Sequence, residues 1–138
     1  MSAKKTRFNE LKELFDTLHG PQGCMWDKKQ THKSILEHLR EESEEFIAAV
    51  RKGDTANMQE EIGDVLLHVM FHAKLAEKAG KFDIEDVIGG LIAKLKRRHP
   101  HVFGCEKVSS TAEIISNWEK IKKAEKAGNR RARARARK

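Results

Sequence analysis

The sequence predicts an all-α fold, a helical bundle of about five helices whose central pair runs antiparallel. Three observations carry this. Apolar residues recur at three- and four-residue intervals along most of the chain. Val, Ile and Thr nowhere gather into alternating runs, so the strand signal is poor. The two prolines, Pro21 and Pro100, both fall between apolar stripes rather than inside them.

The first helix spans roughly Lys5 to Leu18, with Phe8, Leu11, Leu14, Phe15 and Leu18 on one stripe. The segment from Gly20 to Asp27 is rich in turn formers and breaks the pattern. The second helix is expected from about His32 to Lys52, with Thr31 as N-cap and Gly53 as its stop. Asp54 caps the third, which continues to about Ala79 and ends at Gly80. Asp83, with Asp86 three residues on, opens the fourth near Ile84, and it closes by Arg98, before His99-Pro100. Ser110 and Glu113 form a capping box for the fifth, which ends near Gly128. Residues 129–138 alternate Arg and Ala and are expected to be a disordered basic tail. The domain proper is expected over residues 1–128.

At 138 residues the chain suits one domain with one core. No stretch approaches the roughly 18 apolar residues of a membrane span, and no signal-like apolar segment follows the first residues. Cys24 and Cys105 form no C-x-x-C pair. Together these predict a cytoplasmic protein with reduced thiols and no membrane contact. The formal net charge of +7 is unevenly spread. From Lys120 onward there are ten basic residues and one acidic, a net of +9; the preceding 119 carry 18 basic and 20 acidic, a net of −2. Weak nucleic-acid contact is therefore an expectation for the tail and not for the body.

Glu41-Glu42-Ser43-Glu44-Glu45 lies on the second helix and Glu60-Glu61-Ile62-Gly63-Asp64 on the third. Residues three apart share a helix face, which pairs Glu42 with Glu45 and Glu61 with Asp64. Glu42 falls within the apolar stripe formed by Ile35, Leu39, Phe46, Ala49 and Val50. The third helix is expected to turn Ile62, Val65, Leu66, Val69, Ala73 and Ala76 inward, and Glu61 lies about 40° from Val65 on the helical wheel. Carboxylates brought together there repel one another unless a cation sits among them. An all-oxygen set with room for phosphate fits Mg²⁺, with Mn²⁺ as substitute. No Cys/His cluster has zinc spacing, and no histidine has Glu three residues before it, as a ferritin-like di-iron centre requires. The alternative is a solvated acidic face with charge pairs, which is the simpler reading for Glu44 and Glu60. His68 and His72 are four apart, a metal spacing, but a packed or supporting role is the simpler reading.

Glu41-Glu42-x-x-Glu45 followed by Glu61-x-x-Asp64 resembles the signature of the MazG family of nucleoside triphosphate pyrophosphohydrolases. The segment from Cys24 to His32 resembles its C-P-W-D-x-x-Q-T motif, with Met25 where proline is usual. Gly63-Asp64-Val65-Leu66-Leu67 with Phe71-His72-Ala73, the run Lys94 to Phe103, and Trp118-Glu119-Lys120-Ile121-Lys122 resemble further family motifs in order, over about residues 8 to 125. The resemblance implies an all-α bundle assembled as a dimer or tetramer and Mg²⁺-dependent cleavage of a nucleoside triphosphate to monophosphate and pyrophosphate. It implies Glu42, Glu45, Glu61 and Asp64 as metal ligands on the central helices, and Glu41 as one candidate to orient or deprotonate water. Lys94, Arg97, Arg98 and Lys122 supply cations suited to a triphosphate. Trp118 and Trp26 supply indoles for nucleoside contact. Against these stand plain alternatives: cations at a helix C-terminus complement its dipole, and either indole can serve packing. A helical nucleotide- or nucleic-acid-binding module without turnover is the competing function.

Overall fold

The computed structural model describes residues 4–136; Met1 to Ala3 at the N-terminus, and Arg137 and Lys138 of the basic tail, lie outside the described residues. Among the described residues there are seven helices and no strand. They are α1 (Arg7–Leu18), α2 (Met25–Lys29), α3 (Leu36–Lys52), α4 (Thr55–Lys78), α5 (Ile84–Arg98), α6 (Pro100–Phe103) and α7 (Thr111–Ala136). The all-α expectation holds, and α2 and α6 add two short helices to the expected five. The chain divides into two compact units, Met1–Val87 and Ile88–Lys138, with the boundary inside α5. No Pro- or Ser-rich linker marks it.

In the first unit, the Thr6 hydroxyl accepts from the Asn9 N–H and caps α1. The chain then doubles back: the Cys24 N–H donates to the Leu18 carbonyl at 2.8 Å. A Cβ on Gly23 would stand 2.0 Å from that carbonyl oxygen, so only glycine fits this return. Thr31 does not cap α3. Its hydroxyl accepts from the Ser34 N–H and the Ser34 hydroxyl accepts from the Thr31 N–H, so residues 31–34 close a turn of their own and α3 starts at Leu36.

The α3–α4 connection is short and doubly determined. Gly53, at φ 69°, takes the left-handed conformation, and the Asp54 N–H donates to the Ala49 carbonyl. The Asp54 side chain then accepts from the Asn57 N–H at 3.2 Å and starts α4. A two-residue connection leaves α3 and α4 as antiparallel neighbours, and α4 packs on both α3 and α1. The buried cluster is Phe15, Ile35, Met70 and Phe71, flanked by Phe8, Leu11, Leu75 and Ile84. Phe71 meets Phe15 edge-on.

The expected inward stripe of α4 is corrected in part. Ala73 and Ala76 are buried, but Ile62, Leu66 and Val69 remain 42–47% exposed, while His68, Met70 and Phe71 are buried. The helix is apolar nearly all round from Val65 to Ala73, so periodicity alone does not select a face.

Reciprocal bonds between Asp83 and Asp86 open α5. At the start of α7 the Glu113 N–H donates to the Ser110 hydroxyl, while the Glu113 carboxylate reaches back to Ser109. This helix does not stop near Gly128. It continues through residues 129–136, where the sequence leads one to expect disorder. Ala and Arg are strong helix formers, and one interior glycine costs only ~1 kcal/mol. Cations near a helix C-terminus also complement its dipole. Among the described residues no helix is long and apolar enough to cross a membrane.

Candidate functional site

The antiparallel hairpin sets the register of the acids. Glu45 and Glu61 each stand eight residues from Gly53, and Glu42 and Asp64 each stand eleven. Equal distances from Gly53 put Glu45 level with Glu61 and Glu42 level with Asp64 along the hairpin. Glu42, Glu45 and Glu61 accordingly bring carboxylate oxygens within 4.8 Å of one another. One oxygen of Glu42 and one of Glu61 are buried without a hydrogen-bond partner. Burial pushes the Glu61 carboxyl up to about 7, assisted by the neighbouring Glu45. Burial also raises Glu42, assisted by the charges of Asp64 and Glu45. Carboxylate oxygens gathered in this way are hard ligands. A divalent cation satisfies the orphaned oxygens and the repulsion together.

The structure thus brings together three of the four expected ligands. Asp64 is half-buried, and its charge acts on Glu42 and Glu61, but its oxygens lie outside the 4.8 Å set. Glu41 points elsewhere: it is exposed, with its carboxylate 4.0 Å from Nδ1 of His38. Trp26, on α2, is 54% exposed and packs edge-on against Phe71 and His38, so it is half packing, half free surface.

The expected phosphate-binding cations belong to the second unit. Glu125 accepts from Arg97 at 2.7 Å and from Arg98 at 2.9 Å. The two guanidiniums hold its carboxyl down at about 2. Trp118 has the Arg98 guanidinium 6.0 Å and the Lys122 ammonium 5.4 Å from its ring centre. Arg98, Trp118 and Lys122 therefore form one group, joined to Arg97 through Glu125. Lys94 is half-buried and has no ion-pair partner among the described residues.

Sequence reasoning missed Glu125, although it is the single acid in the +9 segment. It also missed the pairing of His32 with His72, whose Nδ1 atoms lie 2.8 Å apart with rings 8° from parallel. A proton on His72 Nδ1, donated to His32, leaves the buried, partnerless Nε2 of His72 bare and avoids an orphaned N–H. Burial lowers the pKa of both His68 and His72, which agrees with neutral, packed rings. A separate cleft of about 250 Å³ lies over Phe15, Met70 and Ile84, and its Lys12 and Lys74 are already paired with carboxylates.

Residues 30–103 match the model of the MazG nucleotide pyrophosphohydrolase domain. The chain is 47% identical over 126 residues to a Thermotoga maritima protein named nucleoside triphosphate pyrophosphohydrolase/pyrophosphatase MazG, covering 91% of this chain and 48% of that one. It is 36% identical over 122 residues to the Escherichia coli K12 nucleoside triphosphate pyrophosphohydrolase, covering 88% and 46%. Its match to the uncharacterized Bacillus subtilis protein YabN is 49% over 119 residues, covering 86% and 24%. The chain thus spans about half or less of the length of these relatives. The crystal structure of a mazG-related protein from Thermotoga maritima superposes with a TM-score of 0.67 at 34% identity, covering 82% of this chain and 96% of that one. By sequence and by fold, this chain belongs to the MazG nucleotide pyrophosphohydrolase family.

Proposed function

We propose that this chain hydrolyses nucleoside triphosphates to the nucleoside monophosphate and pyrophosphate, using a divalent cation held by Glu42, Glu45, Glu61 and Asp64. The observation that carries this reading is the pair of buried, partnerless oxygens on Glu42 and Glu61 inside a three-carboxylate cluster. Relatives that carry the pyrophosphohydrolase name support the reaction type. Mg²⁺ is the expected ion, with Mn²⁺ as substitute. When bound, it supplies neutralisation of the phosphate charge.

The chain's own groups do the rest. Glu61, raised to about 7 by burial, would release its proton when a cation is held there. Glu41 is one candidate to orient water and accept its proton, a role that needs its carboxylate to turn from His38 toward the cluster. Lys94, Arg97, Arg98 and Lys122 bind triphosphate oxygens, which displace Glu125 as partner of the guanidiniums. Trp118 on the second unit and Trp26 on the first are each, separately, a candidate surface for a nucleoside. The assembly is a homodimer or homotetramer, for which Ile62, Leu66 and Val69 of α4 offer an open apolar surface. The free thiols Cys24 and Cys105 suit the cytoplasm, where such turnover controls or cleans a nucleotide pool. Nucleic-acid contact through the basic end of α7 uses none of these groups and is independent of turnover.

The test is product analysis with each nucleoside triphosphate and Mg²⁺. Monophosphate and pyrophosphate are expected; diphosphate and orthophosphate contradict the bond assignment. Nucleotide binding without turnover supports the non-catalytic module instead.

A further inference from the structure

The end of α7 carries a charge pattern that the hydrolytic site does not use. Lys123, Lys126, Arg130 and Arg133 follow one another at intervals of three, four and three residues. On the continuous helix Thr111–Ala136 this spacing places them within an arc of about 80° and spreads them along ~15 Å. All four are exposed, and among the described residues none forms an ion pair. Arg131 and Arg135 lie on the opposite flank, so the four form a stripe and not an even coat. A row of cations this close is unfavourable by itself, because like charges three or four apart on a helix repel. A ligand with a matching row of negative charges relieves that repulsion.

Two polyanionic surfaces have this character, a nucleic-acid backbone and an anionic membrane. A helix that lies in a membrane interface needs large apolar residues opposite its cations. From Lys126 to Ala136 the residues other than Lys and Arg are Ala, Gly and Asn, and none of these anchors in lipid. A phosphodiester backbone needs no such anchor, since Lys and Arg contacts to phosphate supply its sequence-independent affinity.

We propose that the stripe Lys123, Lys126, Arg130 and Arg133 is a docking surface for the phosphate backbone of nucleic acid, without base selectivity. Contact neutralises the row along the continuous helix Thr111–Ala136. The hydrolytic centre is not involved, and the proposal stands or falls apart from the reaction assigned to it.

The experiment is fluorescence anisotropy of the full chain with a labelled single-stranded 20-nucleotide RNA and its DNA counterpart, at several salt concentrations. The slope of log affinity against log salt is expected near −0.7 per phosphate neutralised, so roughly −3 for four contacts. Reversing three stripe charges together (Lys126→Glu, Arg130→Glu, Arg133→Glu) should weaken binding at least tenfold and flatten the slope by about two. Arg131→Glu with Arg135→Glu, on the other flank, should cost clearly less. Anisotropy within twofold of the natural chain for the triple variant overturns the proposal. Equal losses in the two variants overturn the stripe. Stronger retention on phosphatidylserine vesicles than on RNA at equal anion concentration assigns the surface to membranes and overturns it as well.

Discussion

Replacing Glu61 by Gln separates two effects that an inert acidic patch does not produce. In the metal-free chain the Glu61 carboxyl lies near 7, well above the ordinary value of 4.5. The folded state therefore holds a proton that the unfolded chain releases at lower pH. This contribution to stability is fully present below about 4.5 and is lost as pH rises through 7. Glu61→Gln keeps the shape and the neutral state, so metal-free Gln variant should melt above the natural chain at pH 8 and level with it at pH 5. Cation binding must expel the same proton. The ionised fraction of a group at 7 rises about tenfold between pH 6 and 8, so the natural chain's apparent Mg²⁺ affinity should rise by roughly that factor and then level off. The variant, with a ligand oxygen lost, should bind weakly at every pH. The assay is a set of thermal melts from pH 5 to 8.5 with and without Mg²⁺. A metal-free variant less stable than the natural chain at pH 8, or equal protection of both by Mg²⁺, would refute the reasoning.

Asp54→Ala removes the side-chain cap of α4 and should cost ~1 kcal/mol in denaturant unfolding; no change would mean that Gly53 alone sets the turn. Glu125→Gln should remove acid sensitivity from the second unit. The natural carboxyl, held near 2 by Arg98 and Arg97, contributes stability present above about 4.5 and lost as pH falls toward 2. Circular dichroism over that range should show a slope in the natural chain that the variant lacks. Phe71→Ala opens a cavity beneath Phe15 and Trp26 and should cost about 3–5 kcal/mol, read as a large fall in melting temperature.

The central hairpin was legible in the sequence because its signals agree. Gly53 and Asp54 mark one stop and one start, and Glu45 and Glu61 stand eight residues either side of Gly53. A two-residue turn with that spacing brings Glu45 and Glu61 to the same level of the hairpin. Other features depend on tertiary context. Leu66 and Met70 have similar sequence environments, yet one is exposed and the other buried, because an apolar helix does not announce which neighbour it meets. The Glu125 pairing joins residues 27 and 28 positions apart, and neither α5 nor α7 periodicity encodes it. The tail misled through composition: an Arg/Ala repeat reads as low complexity, but its helix propensity carries α7 to Ala136.

The most direct test of the acid cluster as a working metal centre is the rate of Mg²⁺-dependent pyrophosphate release by the natural chain, Glu42→Gln and Glu61→Gln, with helicity checked in each. Loss of a ligand from an assembled site should lower the rate at least about a hundredfold in both variants with the fold intact. Full rates in both variants would show that the carboxylates on α3 and α4 are structural.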